Sequence, residues 1–371
     1  MNMKNPDRIS AVLISRAALV VVILIVFGRA AAAPPTQTPT EFPPQPDGVP
    51  FPTEEWPEGE WPEGVDRAAI DVAVDVAFAE GAPLRVRAVV IIHGGKLIYE
   101  RYSTDEDDGP FKIMPSYSIA KSFTSALVGI LVRDGRLDVD APAPVPAWSG
   151  EDDPRHAITL DDLLRMSSGL EWNEAPYPEP GDMTDMIRSE DAAAYVAAKE
   201  LAHPPGTEFY YNSGNTVLIA RILADVVGEG RTFRGFMYTE LLDKIGINRM
   251  DLMFDPAGTW FGSFSADTTA RSFAKFGLLY LRDGVWDGEH ILPEGWVEYS
   301  RTPSATNPEY GAGWWLDLER PGVFYAVGVR GQVITVDPAH DLVLVHLATD
   351  SALALPVSEA ILDAFAAQSG T

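Results

Sequence analysis

The sequence predicts an α/β (α+β) fold in which an antiparallel β-sheet is flanked by helices and interrupted by an inserted, mainly helical domain. Runs rich in β-branched residues occur near both ends of the chain, at residues 85–102 and 313–347. Apolar residues at helical spacing dominate the long stretch between these runs. Helical spacing also marks residues 66–80 and 351–367, so the first and last helices can cover the sheet.

The first 33 residues have the three-part pattern of a secretory signal peptide. Positively charged residues precede an apolar run at 17–27, and small residues follow at 30–33. We expect cleavage near this point, a periplasmic or secreted protein, and no stable membrane span after processing. The alternative is an uncleaved anchor that uses residues 11–28. Residues 34–64 are rich in proline and are predicted to form a linker that contributes no core.

The composition excludes several classes of function. The chain has 371 residues, a formal net charge of −26 and no cysteine. So acidic a protein lacks the basic face that nucleic-acid binding requires, and we expect no nucleic-acid partner. Without cysteine, the chain has no thiol nucleophile, disulfide or cysteine-containing metal site. About 300 residues remain after the leader and linker, which is enough for a large core.

The predicted sheet begins with a hairpin. Residues 85–92 and 96–102 form two apolar, β-branched runs on either side of Gly94 and Gly95. A Gly-Gly pair between two such runs is typical of a tight hairpin turn. The next predicted helix starts near Ser118, and its apolar residues indicate that it is largely buried.

The remaining elements complete the order. Thr159 and Asp162 have the spacing of a capping box, so a helix is predicted to begin there. Further helices are predicted at residues 191–200, 215–227, 233–245 and 268–281, and strands at residues 313–316, 323–329, 332–336 and 342–347. This order assigns residues 65–148 and 309–371 to an α/β domain and residues 149–308 to a helical domain.

A serine lies three residues before a lysine at the start of the buried helix. Residues three apart on a helix share a face, so the Ser118 hydroxyl and the Lys121 amine can meet. A serine at a helix start also lies among unpaired backbone N–H groups, which can hold a developing oxyanion. The pattern therefore predicts a serine nucleophile, Ser118, with Lys121 as its base.

The same four-residue pattern occurs a second time, at Ser272 and Lys275. Asp267 or a neighbouring threonine can cap a helix just before this copy. Ser272 then lies inside the helix, and its backbone N–H is paired. We interpret the second copy as structural.

A loop with two tyrosines is the second stretch whose side chains could take part in catalysis. It runs from residue 204 to residue 215 and combines a proline turn, small polar residues, Tyr210 and Tyr211. Such a loop can present a phenol to the nucleophile.

Taken together, these motifs resemble the serine β-lactamase-like hydrolase superfamily, and within it the class C-type esterases and the 6-aminohexanoate-dimer hydrolases. The resemblance runs from about residue 53 to the C-terminus, and residues 163–170, 276–284 and 310–314 match it as well. It implies a β-lactamase/transpeptidase-like fold and a hydrolase that cleaves a small-molecule amide or ester through an acyl-enzyme. It implies no cofactor and no metal.

The resemblance leaves two choices for the catalytic tyrosine. Tyr210 with Asn212 matches the family's Tyr-x-Asn literally. The distance from Gly206 favours Tyr211, with Ser213 in the place of the family's asparagine, and we adopt this assignment.

The family's third motif ends in a glycine on a strand at the sheet edge. Counting back from Asp337 places this glycine at Gly328, and the resemblance implies that the N–H of Val329 joins that of Ser118 in an oxyanion hole. A competing frame uses Gly331 and the N–H of Gln332.

The family's lysine or histidine is missing before Gly328, where residues 326 and 327 are Ala and Val. This argues against a β-lactamase or DD-peptidase, because the cation for the substrate carboxylate is absent there. Arg330 is either a partial substitute or a solvated charge. A non-catalytic receptor module of the same fold is the alternative from a different class.

Overall fold

The computed structural model describes residues 42–79, 85–104, 108–150, 152–349 and 355–367. The predicted signal peptide and the start of the proline-rich segment lie outside these residues. Within the described ranges, no helix is both long enough and apolar enough to span a membrane.

A six-stranded antiparallel sheet forms the centre of the fold. Its strands are β1 (Val86–His93), β2 (Lys96–Tyr102), β5 (Trp315–Leu316), β6 (Phe324–Gly328), β7 (Gln332–Asp337) and β8 (Leu342–Ala348), and a separate two-stranded ribbon consists of β3 (Val285–Trp286) and β4 (Glu289–His290). The order across the sheet is β2-β1-β8-β7-β6-β5, so the two ends of the chain pair at its centre through β1 and β8.

Ten α-helices occur in the described part of the chain. They are α1 (Arg67–Ala77), α2 (Ala120–Arg133), α3 (Leu160–Leu164), α4 (Asp182–Arg188), α5 (Ala192–Ala197), α6 (Ser213–Val227), α7 (Arg231–Met237), α8 (Ala270–Leu281), α9 (Trp296–Arg301) and α10 (Leu355–Ala366). Eight of them, α2 to α9, lie between β2 and β5, and seven of these, α3 to α9, lie within the predicted helical segment, residues 149–308. The division into domains at residues 148 and 309 stays a prediction.

The two faces of the sheet are covered by different helices. On one face, Val89 and Leu344 belong to a core with Ile70 of α1 and Ile361 of α10. On the other face, residues such as Val90 and Val345 join the large core of the helical segment. Burying one such side chain contributes about 1.5–3 kcal/mol, so both faces stabilise the sheet.

The longer predicted elements are confirmed. The hairpin turns at Gly94 and Gly95, whose φ angles are +59° and +73°. Thr159 and Asp162 form both hydrogen bonds of the predicted capping box at the start of α3. The predicted helix at 233–245 instead begins at Arg231 and changes after Met237 into a π-helical turn, Tyr238–Leu242.

The described part of the predicted linker, residues 42–64, lies against the folded body. Its backbone pairs with β2, since Gly59 donates to the Leu97 carbonyl at 2.9 Å and Leu97 donates to the Pro57 carbonyl at 2.9 Å. The Trp286 indole donates to the Thr53 hydroxyl at 2.8 Å. We call residues 42–64 the strap. The expectation of a linker is corrected for the strap, because its backbone and side chains find partners on the body.

Lys275, from the second Ser-x-x-Lys copy, anchors the strap. Its Nζ donates to the carbonyls of Thr53 at 3.0 Å and Gly246 at 2.8 Å. Burial lowers the pKa of the Lys275 amine to about 8. Ser272 lies inside α8, and its backbone N–H donates to the capping Thr269 hydroxyl at 3.1 Å. The predicted position of Ser272 inside a helix, with its backbone N–H paired, is confirmed.

The strap approaches the body so closely at Gly246 that a side chain does not fit. This glycine has φ +70°, and a Cβ would lie 1.8 Å from the Thr53 carbonyl oxygen. Both the backbone angle and the contact therefore require glycine.

We expect Gly246→Ala to lower the free energy of unfolding by more than about 3 kcal/mol, at the upper end of single-site effects, because strain and a backbone clash add. Gly288→Ala is the matched control: its φ is +81°, but nothing lies within 4 Å of the added Cβ. Strain alone should cost about 1–2 kcal/mol there. Urea unfolding of both variants measures the difference, and equal losses would contradict the close packing of the strap.

Candidate active site

Ser118 lies in a tight turn that leads into the buried helix α2. The turn is a 3₁₀ helix, Tyr117–Ile119, and it continues directly into α2. Every residue of α2 from Ala120 to Leu131 is buried. The sequence placed Ser118 at the helix start, and the structure places it in the 3₁₀ turn just before that start.

The backbone before Ser118 is strained and is held by its neighbours. Tyr117 has φ +43°, a left-handed conformation that costs a non-glycine residue on the order of 1–3 kcal/mol. Ser116 stabilises the turn, because its backbone N–H and its hydroxyl both reach Asp267, at 2.9 and 3.1 Å. The Ser116 hydroxyl also accepts a hydrogen bond from the Ala266 N–H at 2.8 Å.

Lys121 presents its amine to Ser118 from the first turn of α2. The Nζ lies 3.1 Å from Ser118 Oγ, 3.0 Å from Ser213 Oγ and 3.0 Å from the Ser263 carbonyl oxygen. Burial lowers the pKa of the Lys121 amine to about 8, and the negative charge of Glu174 partly opposes that shift. An amine with this pKa can lose its proton near neutral pH, which a general base must do.

Ser213 connects Lys121 to Glu174. It is the first residue of α6, and its backbone N–H donates to the Glu174 carboxylate at 2.9 Å. The Ser213 hydroxyl forms a second hydrogen bond to the same carboxylate. The Trp172 indole donates to this carboxylate as well. Asn212 caps α6 by accepting from the Asn215 N–H at 3.1 Å.

Tyr211 closes the other side of Ser118. Its ring stacks on Trp315 at 5.6 Å between centroids, and the Lys121 Nζ lies 4.7 Å from the ring centroid. Burial raises the pKa of the Tyr211 phenol well above its ordinary value of 10, and hydrogen bonding with Ser118 works against that rise. The phenol is therefore protonated at neutral pH and can serve as a proton donor.

Tyr210 has different surroundings. Its backbone N–H donates to the Met166 carbonyl at 2.8 Å, and its phenol interacts with the backbone of Glu174. The structure brings Tyr211, not Tyr210, to the Ser118 and Lys121 side chains.

Gly328 brings the sheet edge against the nucleophile turn. A Cβ on Gly328 would lie 2.5 Å from the Ser116 carbonyl oxygen and 3.1 Å from the Tyr117 Cβ. Val329 follows directly at the end of β6. Gly331, from the competing frame, instead directs its carbonyl to the ring nitrogen of the buried His346, at 3.2 Å. The contacts thus favour Gly328 and Val329 as the neighbours of the nucleophile turn.

Arg330 lies at the rim of this region. It is exposed, and its guanidinium lies 5.6 Å from the centroid of the Tyr117 ring. In the described ranges, no group of three or more His, Cys, Asp or Glu side chains is arranged to hold a metal ion.

The sequence analysis missed two contributors to the site: Glu174 and the Ser263 carbonyl. Glu174 and Ser263 come from loops without a distinguishing motif, and a carbonyl contact has no side-chain signature. Nothing in the sequence distinguishes Glu174 from its neighbours, because Glu171 and Glu179 lie in the same loop after α3.

Comparison with known proteins places this geometry in a family. A family model described as Beta-lactamase matches residues 84–368, which is most of the chain. The chain belongs to the beta-lactamase family. The predicted superfamily and fold class are thereby confirmed.

Relatives of this beta-lactamase family member include a protein that is named as a hydrolase. The 6-aminohexanoate-dimer hydrolase of Paenarthrobacter ureafaciens is 27% identical over 291 residues, covering 71% of this chain and 72% of that protein. Protein flp of Staphylococcus aureus strain N315 is 28% identical over 161 residues, 39% of this chain and 30% of that protein.

Solved structures of the beta-lactamase fold also match. A putative 6-aminohexanoate-dimer hydrolase from Bacillus anthracis has a TM-score of 0.68 at 22% identity, covering 86% of this chain and 89% of that chain. A penicillin-binding protein homolog from Caulobacter crescentus has a TM-score of 0.65 at 17% identity, covering 83% and 99%. These likenesses show the fold: an antiparallel sheet with flanking helices.

Proposed function

We propose that this beta-lactamase family member is an exported serine hydrolase that cleaves an amide or ester bond through an acyl-enzyme on Ser118. The observation that carries the proposal is the buried Lys121 amine, 3.1 Å from the Ser118 hydroxyl and with a pKa of about 8. Export, to the periplasm or outside the cell, rests on the signal-like pattern of residues 1–33.

In the first step, neutral Lys121 takes the Ser118 proton while the serine oxygen attacks the substrate carbonyl carbon. The carbonyl oxygen becomes an oxyanion. We assign its stabilisation to the backbone N–H groups of Ser118 and Val329, with Gly328 allowing the sheet edge to approach. Each such donor is worth about 3–4 kcal/mol of transition-state stabilisation.

Tyr211 then gives its proton to the leaving amine or alcohol as the carbonyl–leaving-group bond breaks, and the Lys121 ammonium, which lies beside the Tyr211 ring, returns a proton to the phenolate. Protonation of Tyr211 at neutral pH and its contact with Ser118 support this role. Water next attacks the acyl-enzyme, with Lys121 as the base, and Ser118 leaves with a proton. The products are a carboxylic acid and an amine or alcohol.

The substrate class we infer is a small linear ester or amide. The sequence positions before Gly328 lack the family's lysine or histidine, and the relative at 27% identity is named a 6-aminohexanoate-dimer hydrolase. Trp315 lies next to Tyr211 and is half-buried, so it offers an apolar surface beside the reacting bond.

We expect Ser118→Ala to abolish labelling by a fluorophosphonate probe, because the alanine has no oxygen to form the covalent bond. Ser272→Ala is the matched control from the second Ser-x-x-Lys copy and should be labelled like wild type. In-gel fluorescence and intact mass spectrometry measure the adduct. Equal labelling of wild type and Ser118→Ala would contradict the assignment of Ser118 as the nucleophile.

The pH dependence should follow Lys121. Its pKa is lowered to about 8 and the neutral amine is the active form, so kcat/KM rises with pH through about 8 and then levels. Since the pKa of Tyr211 is raised above its ordinary value, no alkaline loss from this residue is expected up to about pH 10. Hydrolysis of 4-nitrophenyl acetate, corrected for the spontaneous rate, measures the profile. A midpoint near the ordinary lysine pKa of about 10.4 would contradict it.

A substrate panel separates the proposed activity from its alternatives. We expect turnover of short-chain nitrophenyl esters or of the linear 6-aminohexanoate dimer, and no hydrolysis of nitrocefin. Rapid nitrocefin hydrolysis would favour a β-lactamase. An acyl-enzyme that forms on Ser118 but never turns over would favour the receptor module.

A further inference from the structure

Glu174 is a partly buried carboxylate that the proposed mechanism does not use. It lies in the loop between α3 and α4 and receives three hydrogen bonds: from the Ser213 N–H at 2.9 Å, from the Ser213 hydroxyl and from the Trp172 indole. All three donors point at one carboxylate. Among the hydrogen bonds of the described residues, the path from Glu174 to the reacting groups runs through the Ser213 hydroxyl, which lies 3.0 Å from the Lys121 Nζ.

This arrangement fixes the direction of the hydrogen bonds. An ionised carboxylate only accepts, so the Ser213 hydroxyl proton is committed to Glu174. The Ser213 oxygen must then accept from Lys121. The Ser263 carbonyl, 3.0 Å from the same amine, also only accepts. Two of the three partners of Lys121 therefore require an N–H from it.

The consequence concerns the neutral form of the amine. A neutral lysine has two N–H bonds and one lone pair. If Ser213 and Ser263 take the two N–H bonds, the lone pair is left for the third partner, the Ser118 hydroxyl. The base then faces the proton that it must remove.

We propose that Glu174 is a positioning residue that orients the Ser213 hydroxyl and thereby directs the lone pair of neutral Lys121 at Ser118. This inference rests on the proposed function. A glutamine at 174 could donate its amide N–H to Ser213 and turn the Ser213 proton toward Lys121. The lone pair of Lys121 would then accept a hydrogen bond from the Ser213 hydroxyl in competition with the Ser118 hydroxyl.

The test compares Glu174→Gln with wild type by the rate of Ser118 labelling and by kcat/KM for 4-nitrophenyl acetate. We expect the plateau of kcat/KM to fall by roughly 10²-fold, within the range ascribed to a well-placed general base. The pH midpoint should also move down, because the negative charge that opposes the lowering of the Lys121 pKa is gone. The titratable groups that face Lys121 in the described structure are Glu174, from its loop, and Tyr211, which precedes α6.

If Glu174 only held its loop in place, the variants would behave differently, and two comparisons test this. Glu171→Gln removes an exposed carboxylate from the same loop and should match wild type in rate and midpoint. Because Glu174 acts through Ser213, adding Glu174→Gln to Ser213→Ala should cost little more than Ser213→Ala alone. Additive losses, or an unchanged midpoint in Glu174→Gln, would overturn the inference.

Glu174→Asp covers the case in which the glutamine variant does not fold. It keeps the charge, so the midpoint stays near that of wild type, while the shorter side chain loses Ser213 and the plateau falls. A wild-type plateau in Glu174→Asp would overturn the inference. Wild-type protein that is not labelled at Ser118 would overturn both proposals, whereas labelled wild type with an equally fast Glu174→Gln overturns this one alone.

Discussion

The burial of the Lys121 amine is the constraint on which the rest of the site depends. Burial of a lysine removes hydration that stabilises the ammonium by several kcal/mol. In this structure three oxygen atoms and the face of the Tyr211 ring contact the amine in place of water. In the described structure, none of these partners is a carboxylate in direct contact. The charged and neutral forms are therefore close in free energy, which is the property a lysine base needs. The buried helix α2 supplies the amine, and the oxygens come from the turn before α2, from the first residue of α6 and from the loop that contains Ser263.

Lys275 shows that burial alone does not make a catalytic lysine. It has the same local motif and its pKa is also lowered to about 8, yet its amine meets two backbone carbonyls of other segments. The backbone N–H of Ser272, three residues before it, donates to the hydroxyl of the capping Thr269. The difference was predictable from sequence, because capping residues precede one copy of the motif. It is a difference of local backbone geometry, and the four-letter pattern does not contain it.

Most of the helices and strands could be predicted from the sequence, because the long ones have strong hydrophobic periodicity or clear turn and capping residues at their ends. The Gly94-Gly95 turn and the Thr159 cap are local signals that tertiary packing does not override. The helices α4 and α9 are too short for a periodic signal, and the β3–β4 ribbon has only two residues in each strand. The strap was missed for another reason. Proline and glycine in residues 42–64 indicate irregular backbone correctly, but they say nothing about whether that backbone is packed.

The residues of the site also fall into those that local sequence patterns predict and those that they do not. Ser118 and Lys121 are set by helix geometry and could be placed from spacing, whereas Glu174 reaches them across a loop whose path no local pattern encodes. The contact between Gly328 and the Ser116 carbonyl adds a consequence of its own. The parts of the site come from segments far apart along the chain, and Gly328 follows Ser118 by 210 residues (328 − 118). A nascent polypeptide that has not yet added β6 therefore lacks one wall of the proposed site, and the proposed reactivity of Ser118 requires that this strand has docked.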